Sequence, residues 1–258
     1  MNIGMIRDFK QKLKDDFVTG IFSKTSDPAF IEIMGHGGFD FVIIDLEHGP
    51  NSVQTVQNLL RAAEVSGILS VVRVKEGNPS VIGEVLDIGA CGIQVPHVNN
   101  PDAVEEVIKL ARFAPQGMRG VCRFVRAAGY SSMDRFRYFS ESNEAVIVLQ
   151  IEGQEGIDNI DTVLEAGGAD IIFIGPYDLS QSLGVPGKVD HPSVEKKMKE
   201  IIEKSTKKGV AVGTFVDTFE NADKWRGLGI KYIAYSVDVG IFYDKCAEVV
   251  KRITGGKI

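Results

Sequence analysis

Short apolar runs rich in β-branched residues recur along the chain at Val18–Phe22, Phe39–Ile44, Leu69–Val74, Gly92–Val95, Ala145–Ile151, Asp170–Ile174, Val210–Phe215 and Tyr232–Val237. Each has strand length and is bounded by turn-forming residues, so the pattern predicts eight strands. The intervening segments carry helical spacing: Val53, Val56, Leu59 and Leu60 in one, Val194, Met198, Ile201 and Ile202 in another, and Phe242, Cys246, Val249, Val250 and Ile253 in the last. Pro79, Pro101 and Pro192 open helical segments after Asn78, Asn100 and His191, and Gly209 follows Lys207 and Lys208 at a helix end.

Strands that are apolar on both faces must be covered on both faces, which calls for a parallel sheet flanked by helices. Eight strand–helix repeats in 258 residues suit a closed (β/α)8 TIM barrel, with an open doubly wound sheet as the alternative. No Pro/Gly/Ser linker, low-complexity tract or charge block divides the sequence, so residues 1–258 read as a single domain whose longest irregular stretch runs from Phe113 to Tyr130. The segment Met1 to Asp16 contains no apolar run like a signal-peptide core, and no stretch approaches membrane-span length; no membrane partner and a cytoplasmic setting are expected.

Composition narrows the function. A formal net charge of −6 argues against a nucleic-acid partner, because that affinity rests on lysine and arginine neutralising phosphates. Cys91, Cys122 and Cys246 are an odd, scattered set with neither metal-ligand nor disulfide spacing, and read as packing thiols.

In a barrel of this kind, residues at and just past the C-terminal ends of the strands converge on one mouth. Sorting by that rule gathers Asp45, Glu47 and His48 past the second strand, Arg73 at the end of the third, His97 past the fourth, Gln150 and Glu152 at the end of the fifth, and Gly175, Pro176 and Asp178 past the sixth. Glu152 and Asp178 come from adjacent strands, and two hard oxygen ligands completed by water and substrate oxygens suit Mg²⁺ or Mn²⁺. The alternative is that each merely caps the following helix.

His48 lies close enough in sequence to Asp45 and Glu47 for one of them to fix its tautomer, which would make it a general base; a satisfied structural histidine is the other reading. Arg73, between Val72 and Val74, either pairs with Glu47 or another acid or binds a carboxylate substrate. Lys24 and Lys75 lie near strand ends and raise a Schiff-base mechanism, although Ile171-Ile172-Phe173-Ile174 carries no lysine.

Taken in order, Gly38-Phe39-Asp40-Phe41, Asp45-Leu46-Glu47-His48-Gly49-Pro50, Val72-Arg73-Val74, Gly92-Ile93-Gln94-Val95-Pro96, Gly117-Met118-Arg119-Gly120, Gln150-Ile151-Glu152 and Ile174-Gly175-Pro176-Tyr177-Asp178-Leu179-Ser180 make the sequence resemble the HpcH/HpaI aldolase family, the metal-dependent class II pyruvate aldolases. The resemblance implies a barrel of the phosphoenolpyruvate/pyruvate type, with Mg²⁺, Mn²⁺ or Co²⁺ held by Glu152 and Asp178. It places pyruvate on the metal through its keto and carboxylate oxygens, with Arg73 beside the keto oxygen. His48 paired with Asp45 becomes the acid/base group, and Gln150, Gly175, Pro176, Tyr177 and Asp178 line the substrate site. Glu47 becomes a supporting group that holds a water outside the metal's own ligands.

The implied reaction is reversible cleavage of a 4-hydroxy-2-oxo acid to pyruvate and an aldehyde. Oxaloacetate decarboxylation at the same site is the nearest alternative, and a non-catalytic oxo-acid-binding barrel the more distant one. The resemblance also implies a homo-oligomer, a hexamer built as a trimer of dimers that exchange the last barrel helix, about Asp238 to Ile253. Departures from the family pattern fall at Tyr177, Lys24 and Val121-Cys122-Arg123-Phe124. Their bulk and positive charge point to a different or anionic aldehyde.

Overall fold

Along a strand, alternate side chains point to opposite faces, and this parity organises the molecule. The structure, a computed structural model, describes residues 1–75 and 80–256. Its strands are β1 (Val18–Ser23), β2 (Phe41–Asp45), β3 (Leu69–Arg73), β4 (Gly92–Val95), β5 (Val146–Ile151), β6 (Ile171–Ile174), β7 (Ala211–Val216) and β8 (Tyr232–Val237). They form a closed, all-parallel barrel in sequence order, with β8 returning to β1. All eight expected strands are present, and the open-sheet alternative is excluded by that closure.

The helices that cover or follow them include α1 (Ile3–Asp15), α2 (Pro28–His36), α3 (Val53–Ser66), α4 (Ser80–Asp87), α5 (Pro101–Ala111), α6 (Arg135–Glu141), α7 (Gln154–Asp158), α8 (Ile160–Ala166), α9 (Pro176–Ser182), α10 (Pro192–Lys207), α11 (Phe219–Gly227) and α12 (Asp238–Thr254). The caps expected at Asn100 and His191 are made, each side chain accepting a backbone N–H of the first turn. The expected start at Asn78 and Pro79 lies outside the described residues. None of the described helices is long and apolar enough to cross a membrane.

Two apolar layers follow from strand parity. Val42, Ile44, Val72, Ile93 and Ile147 face outward and pack against the helices. Phe22, Phe41, Ile43, Val71, Val148, Phe173 and Tyr232 face inward and fill the barrel. At one level the rings of Phe41 and Tyr232 stack with centroids 3.8 Å apart, which Gly20 permits, since a Cβ there would lie 2.3 Å from the Phe41 ring. Each large interior side chain contributes about 1.5–3 kcal/mol by its burial.

The inward parity continues to the C-terminal rim, where apolar residues give way to polar ones: Phe41 and Ile43 lead to Asp45, Leu69 and Val71 to Arg73, Val146 and Val148 to Gln150 and Glu152. These polar side chains are buried, with Asp45 at 0% and Glu152 at 1% exposure. The expected second strand, Phe39–Ile44, is shifted by the structure to Phe41–Asp45, so Asp45 is the last strand residue and points into the mouth.

Sequence periodicity missed one element and left another unplaced. Helix α1 carries Ile6, Phe9 and Leu13 on one face and closes the N-terminal end of the barrel, Phe9 meeting Phe41 and Tyr232 edge-on. Helix α12 has the expected apolar periodicity but buries only Asp238, leaving Phe242 at 60% and Ile253 at 81% exposure.

Candidate active site

The rim residues surround a cavity of about 390 Å³ lined by Phe22, Lys24, His48, Arg73, Gln150, Phe173, Gly175, Pro176, Tyr177, Asp178, Phe215 and Val237. A larger cavity of about 660 Å³ lies elsewhere, on the outer wall beside α11 and α12. The chemistry-bearing groups meet in the smaller one.

Arg73 and Asp45 face each other across the β2–β3 ladder, where their Cα atoms are in register. Arg73 Nε donates to Asp45 Oδ1 at 2.9 Å and Nη2 to Oδ2 at 2.7 Å, while Nη1 stands 3.0 Å from Glu47 Oε2. The bidentate fork satisfies two buried ions at once. Burial pushes Asp45 up, but the Arg73 hydrogen bonds and charge outweigh it and hold the carboxyl below its ordinary range. Burial alone would lower Arg73; Asp45 and Glu47 reverse that and hold it above its ordinary value. Glu47 is pushed up, chiefly by burial.

The expected pairing of Asp45 with the His48 ring is not what the structure has. Asp45 Oδ1 accepts the backbone N–H groups of Glu47 at 3.0 Å and His48 at 3.3 Å, in addition to Arg73. No hydrogen bond joins this carboxylate to the imidazole among the described residues. The ring instead lies 4.0 Å from Glu47 Oε2 with its side chain 59% exposed, and it lines the cavity.

Glu152 is almost as deeply buried as Asp45. Gln94 donates to Gln150, and Gln150 Nε2 donates to Glu152 Oε2. Glu152 Oε1 accepts the backbone N–H of His97 at 3.1 Å. Burial pushes Glu152 up; its Gln150 hydrogen bond opposes that shift and the nearby Asp178 charge adds to it. Gly175 makes this placement possible, because a Cβ there would lie 2.4 Å from Glu152 Oε2.

Asp178 sits in the first turn of α9, exposed and with no hydrogen bond among the described residues, so helix capping does not account for it. Pro176 starts that helix and Gly175 precedes it. Glu152 and Asp178, close enough for the charge of one to raise the other, are a donor set for a hard divalent cation, and burial with mutual repulsion is the cost such a cation removes. Among the described residues no group of three or more His, Cys, Asp or Glu side chains is assembled around one point, so water and substrate oxygens would complete the coordination.

Sequence sorting understated His97. It occupies the left-handed region at φ 52°, with ring Nδ1 3.3 Å from Glu152 Oε1 and Nε2 3.9 Å from Glu47 Oε1, so it spans the two acids. Its position past the fourth strand was the available signal. Asp217 gave none: it accepts the Tyr177 hydroxyl at 2.5 Å and, by that bond first and burial second, raises the phenol to about 12. Of the two lysines near strand ends, Lys24 lines the cavity and Lys75 is exposed.

The profile of the HpcH/HpaI aldolase/citrate lyase family matches residues 18–244. This chain belongs to that family. It is 34% identical over 237 residues to the 5-keto-4-deoxy-D-glucarate aldolase of Shigella boydii, an alignment spanning 90% of this chain and 91% of that protein. Among solved structures it resembles an HpcH/HpaI aldolase/citrate lyase family protein from Burkholderia cenocepacia, with TM-score 0.90 and 30% identity over 96% of this chain and 99% of the other. It also resembles the citrate synthase SbnG, with TM-score 0.86 and 33% identity over 96% and 98% of the respective chains. The family places the chain among the aldolases, enzymes that make and break carbon–carbon bonds.

Proposed function

We propose that this aldolase reversibly cleaves a 4-hydroxy-2-oxo acid to pyruvate and an aldehyde, using a divalent cation held by Glu152 and Asp178. The observation that carries this reading is the buried Glu152, which stands at the rim close to Asp178 and, among the described residues, has no lysine or arginine among its hydrogen-bond partners. Mg²⁺, Mn²⁺ or Co²⁺ bound there would supply Lewis-acid polarisation of the 2-oxo group.

The protein's own groups then divide the work. Arg73, locked by Asp45, presents a fixed positive charge to the cavity where negative charge develops on the oxo oxygen as the C3–C4 bond breaks. Gln150 orients Glu152, and Gly175 leaves room for that carboxylate. His48, the imidazole that lines the cavity, takes the proton of the 4-hydroxyl and returns it in the synthetic direction. Glu47 stands 3.0 Å from Arg73 Nη1, whose charge it offsets, and within 4.0 Å of both histidine rings, and is placed to hold a water between them.

Treatment with EDTA should abolish aldol cleavage, and Mg²⁺, Mn²⁺ or Co²⁺ should restore it; cleavage indifferent to chelation would end the proposal. Substitution His48→Ala should remove aldol cleavage and spare oxaloacetate decarboxylation, which needs no proton taken from a hydroxyl.

The same reading makes the enzyme a homo-oligomer, a hexamer built as a trimer of dimers that exchange α12. Its support is the helix itself: Phe242, Tyr243, Val249, Val250 and Ile253 are exposed, beside the outer-wall cavity lined by Phe17, Phe39, Phe219 and Ile241. Sedimentation of Ile253→Glu against the parent chain tests it. A cytoplasmic setting belongs to this reading too, supported by three unpaired cysteines.

A further inference from the structure

A buried cation needs its charge matched, and this chain meets that need unevenly. Arg73 is gripped by carboxylates and held above its ordinary value. Arg112, at the end of α5, is 7% exposed and has no hydrogen-bonded carboxylate. Its Nη1 donates to Ala145 O at 2.8 Å, while Nη2 stands 3.9 Å from Asp170 Oδ2, beyond hydrogen-bond reach. Asp170 is already claimed: Oδ1 lies 2.7 Å from Lys10 Nζ, and Oδ2 accepts the Ile147 N–H at 2.9 Å. Arg112 Nε has no hydrogen-bond partner among the described residues. Burial pulls this guanidinium below its ordinary value, and the charges of Asp170 and Glu144 do not restore it.

The undermatched side chain lines a cavity of about 550 Å³, together with Glu105, Ile108, Lys109, Gln116 and the turn 166–168. The cavity lies at the opposite end of the barrel from the metal ligands: Ala145, whose carbonyl holds Arg112, precedes β5, and Glu152 follows it. Two glycines shape it. A Cβ on Gly117 would stand 2.5 Å from Arg112 O, and one on Gly168, at φ 84°, would stand 2.5 Å from Ile108 Cδ1. Both turns therefore close directly on α5. Lys109 is exposed, and its ammonium is unpaired among the described residues. The lining thus sets Arg112 and Lys109 against Glu105, leaving an excess of positive charge.

We propose that this cavity binds a small anionic metabolite whose phosphate or carboxylate group bridges Arg112 and Lys109. The anion supplies what Asp170 does not, an acceptor for the open Nε of a buried guanidinium, through a charge-assisted hydrogen bond. A volume of about 550 Å³ exceeds what an inorganic ion needs and falls within the range of small-molecule sites, about 300–1,000 Å³. Ile108 and Ala166 offer apolar contact to the remainder of the ligand. The site is separate from the barrel mouth, so its occupancy needs neither metal nor pyruvate.

The experiment titrates inorganic phosphate, glycerol 3-phosphate and succinate by calorimetry into the enzyme saturated with Mg²⁺ and pyruvate. Ionic strength is fixed with chloride, so that neither the mouth nor bulk screening produces the signal. One of the organic anions should bind saturably and raise Tm by about 5 °C at 100 times its Kd. Lys109→Glu should weaken that binding at least fivefold, Glu105→Gln should tighten it, and Arg112→Met should abolish it. Where Arg112→Met fails to fold, the other two variants, both at exposed positions, decide the question. Tighter binding of glycerol 3-phosphate makes the occupant a phosphate ester, and tighter binding of succinate makes it a carboxylate. A response to all three probes that never saturates, or one Kd shared by the parent, Lys109→Glu and Glu105→Gln, would overturn the site.

Discussion

Replacing Gly175 with alanine isolates the placement of Glu152 from every other property of the site. The glycine has φ −83°, which any residue adopts, so the substitution carries no backbone penalty and acts through contact alone. The new Cβ would stand 2.4 Å from Glu152 Oε2 and 3.1 Å from its Cβ. Unstrained carbon–oxygen contacts begin near about 3.3 Å, so the carboxylate must retreat by roughly 1 Å. Both its oxygens are held, Oε2 by Gln150 and Oε1 by the His97 N–H.

Retreat breaks the Gln150 bond, worth about 1.5–3 kcal/mol to a charged acceptor, and overpacking a buried position adds about 1–3 kcal/mol. A domain of ordinary stability, about 5–15 kcal/mol, remains folded after such a loss. Catalysis is more sensitive, since a 1 Å misplacement costs on the order of 100-fold in rate. Denaturant midpoint and kcat/KM for aldol cleavage, measured together, separate the two effects. A folded Gly175→Ala enzyme with near-parental kcat/KM would refute the claim that the position of Glu152 governs the site.

Asp178→Asn should abolish metal-dependent cleavage while leaving the metal-free protein at least as stable, because it removes a charge that raises Glu152 and breaks no described hydrogen bond; paired thermal melts check this. Arg73→Lys should lower both stability and kcat, since one ammonium cannot replace a fork that engages both Asp45 oxygens, and losing the fit of a buried pair costs up to about 3–5 kcal/mol. Asp45 is held below its ordinary value in the folded state, so its contribution to stability is complete above the unfolded value of about 3.9 and declines as pH falls through the folded one. Urea midpoints should show Asp45→Asn less stable than the parent near neutral pH, with the gap closing below about pH 4; a gap of constant size would contradict the assignment.

Much of the site was legible because strand parity carries chemical information. Once Phe41, Ile43, Leu69, Val71, Val146 and Val148 are read as alternating interior positions, the same count places Asp45, Arg73, Gln150 and Glu152 on the inner face at the rim, where the structure has them. Parity says nothing about which rim groups pair. Asp45 and Arg73 are 28 residues apart and meet only through the β2–β3 register, so the local partner, His48, looked equally available in sequence. Tyr177 and Asp217 lie 40 residues apart and join loops from different strands. Periodicity in Phe242, Cys246, Val249, Val250 and Ile253 likewise reports an apolar face without saying what covers it. The apolar face of Ile6, Phe9 and Leu13 is diluted by the charged residues between them, which weakens its helical signal.

The Asp238 carboxylate joins parts of the chain more than 200 residues apart, 215 separating it from Ser23 and 213 from Thr25. It is the first residue of α12, its Oδ1 accepts the Val239 N–H at 2.7 Å, and the same group grips residues 23 to 25 at the opening of the cavity. The long terminal helix and the Lys24 loop thus turn on one shared pivot. One acid thus serves as a common rivet: Asp238→Asn, which weakens those acceptor positions, would loosen the first turn of α12 and the exit from β1 together.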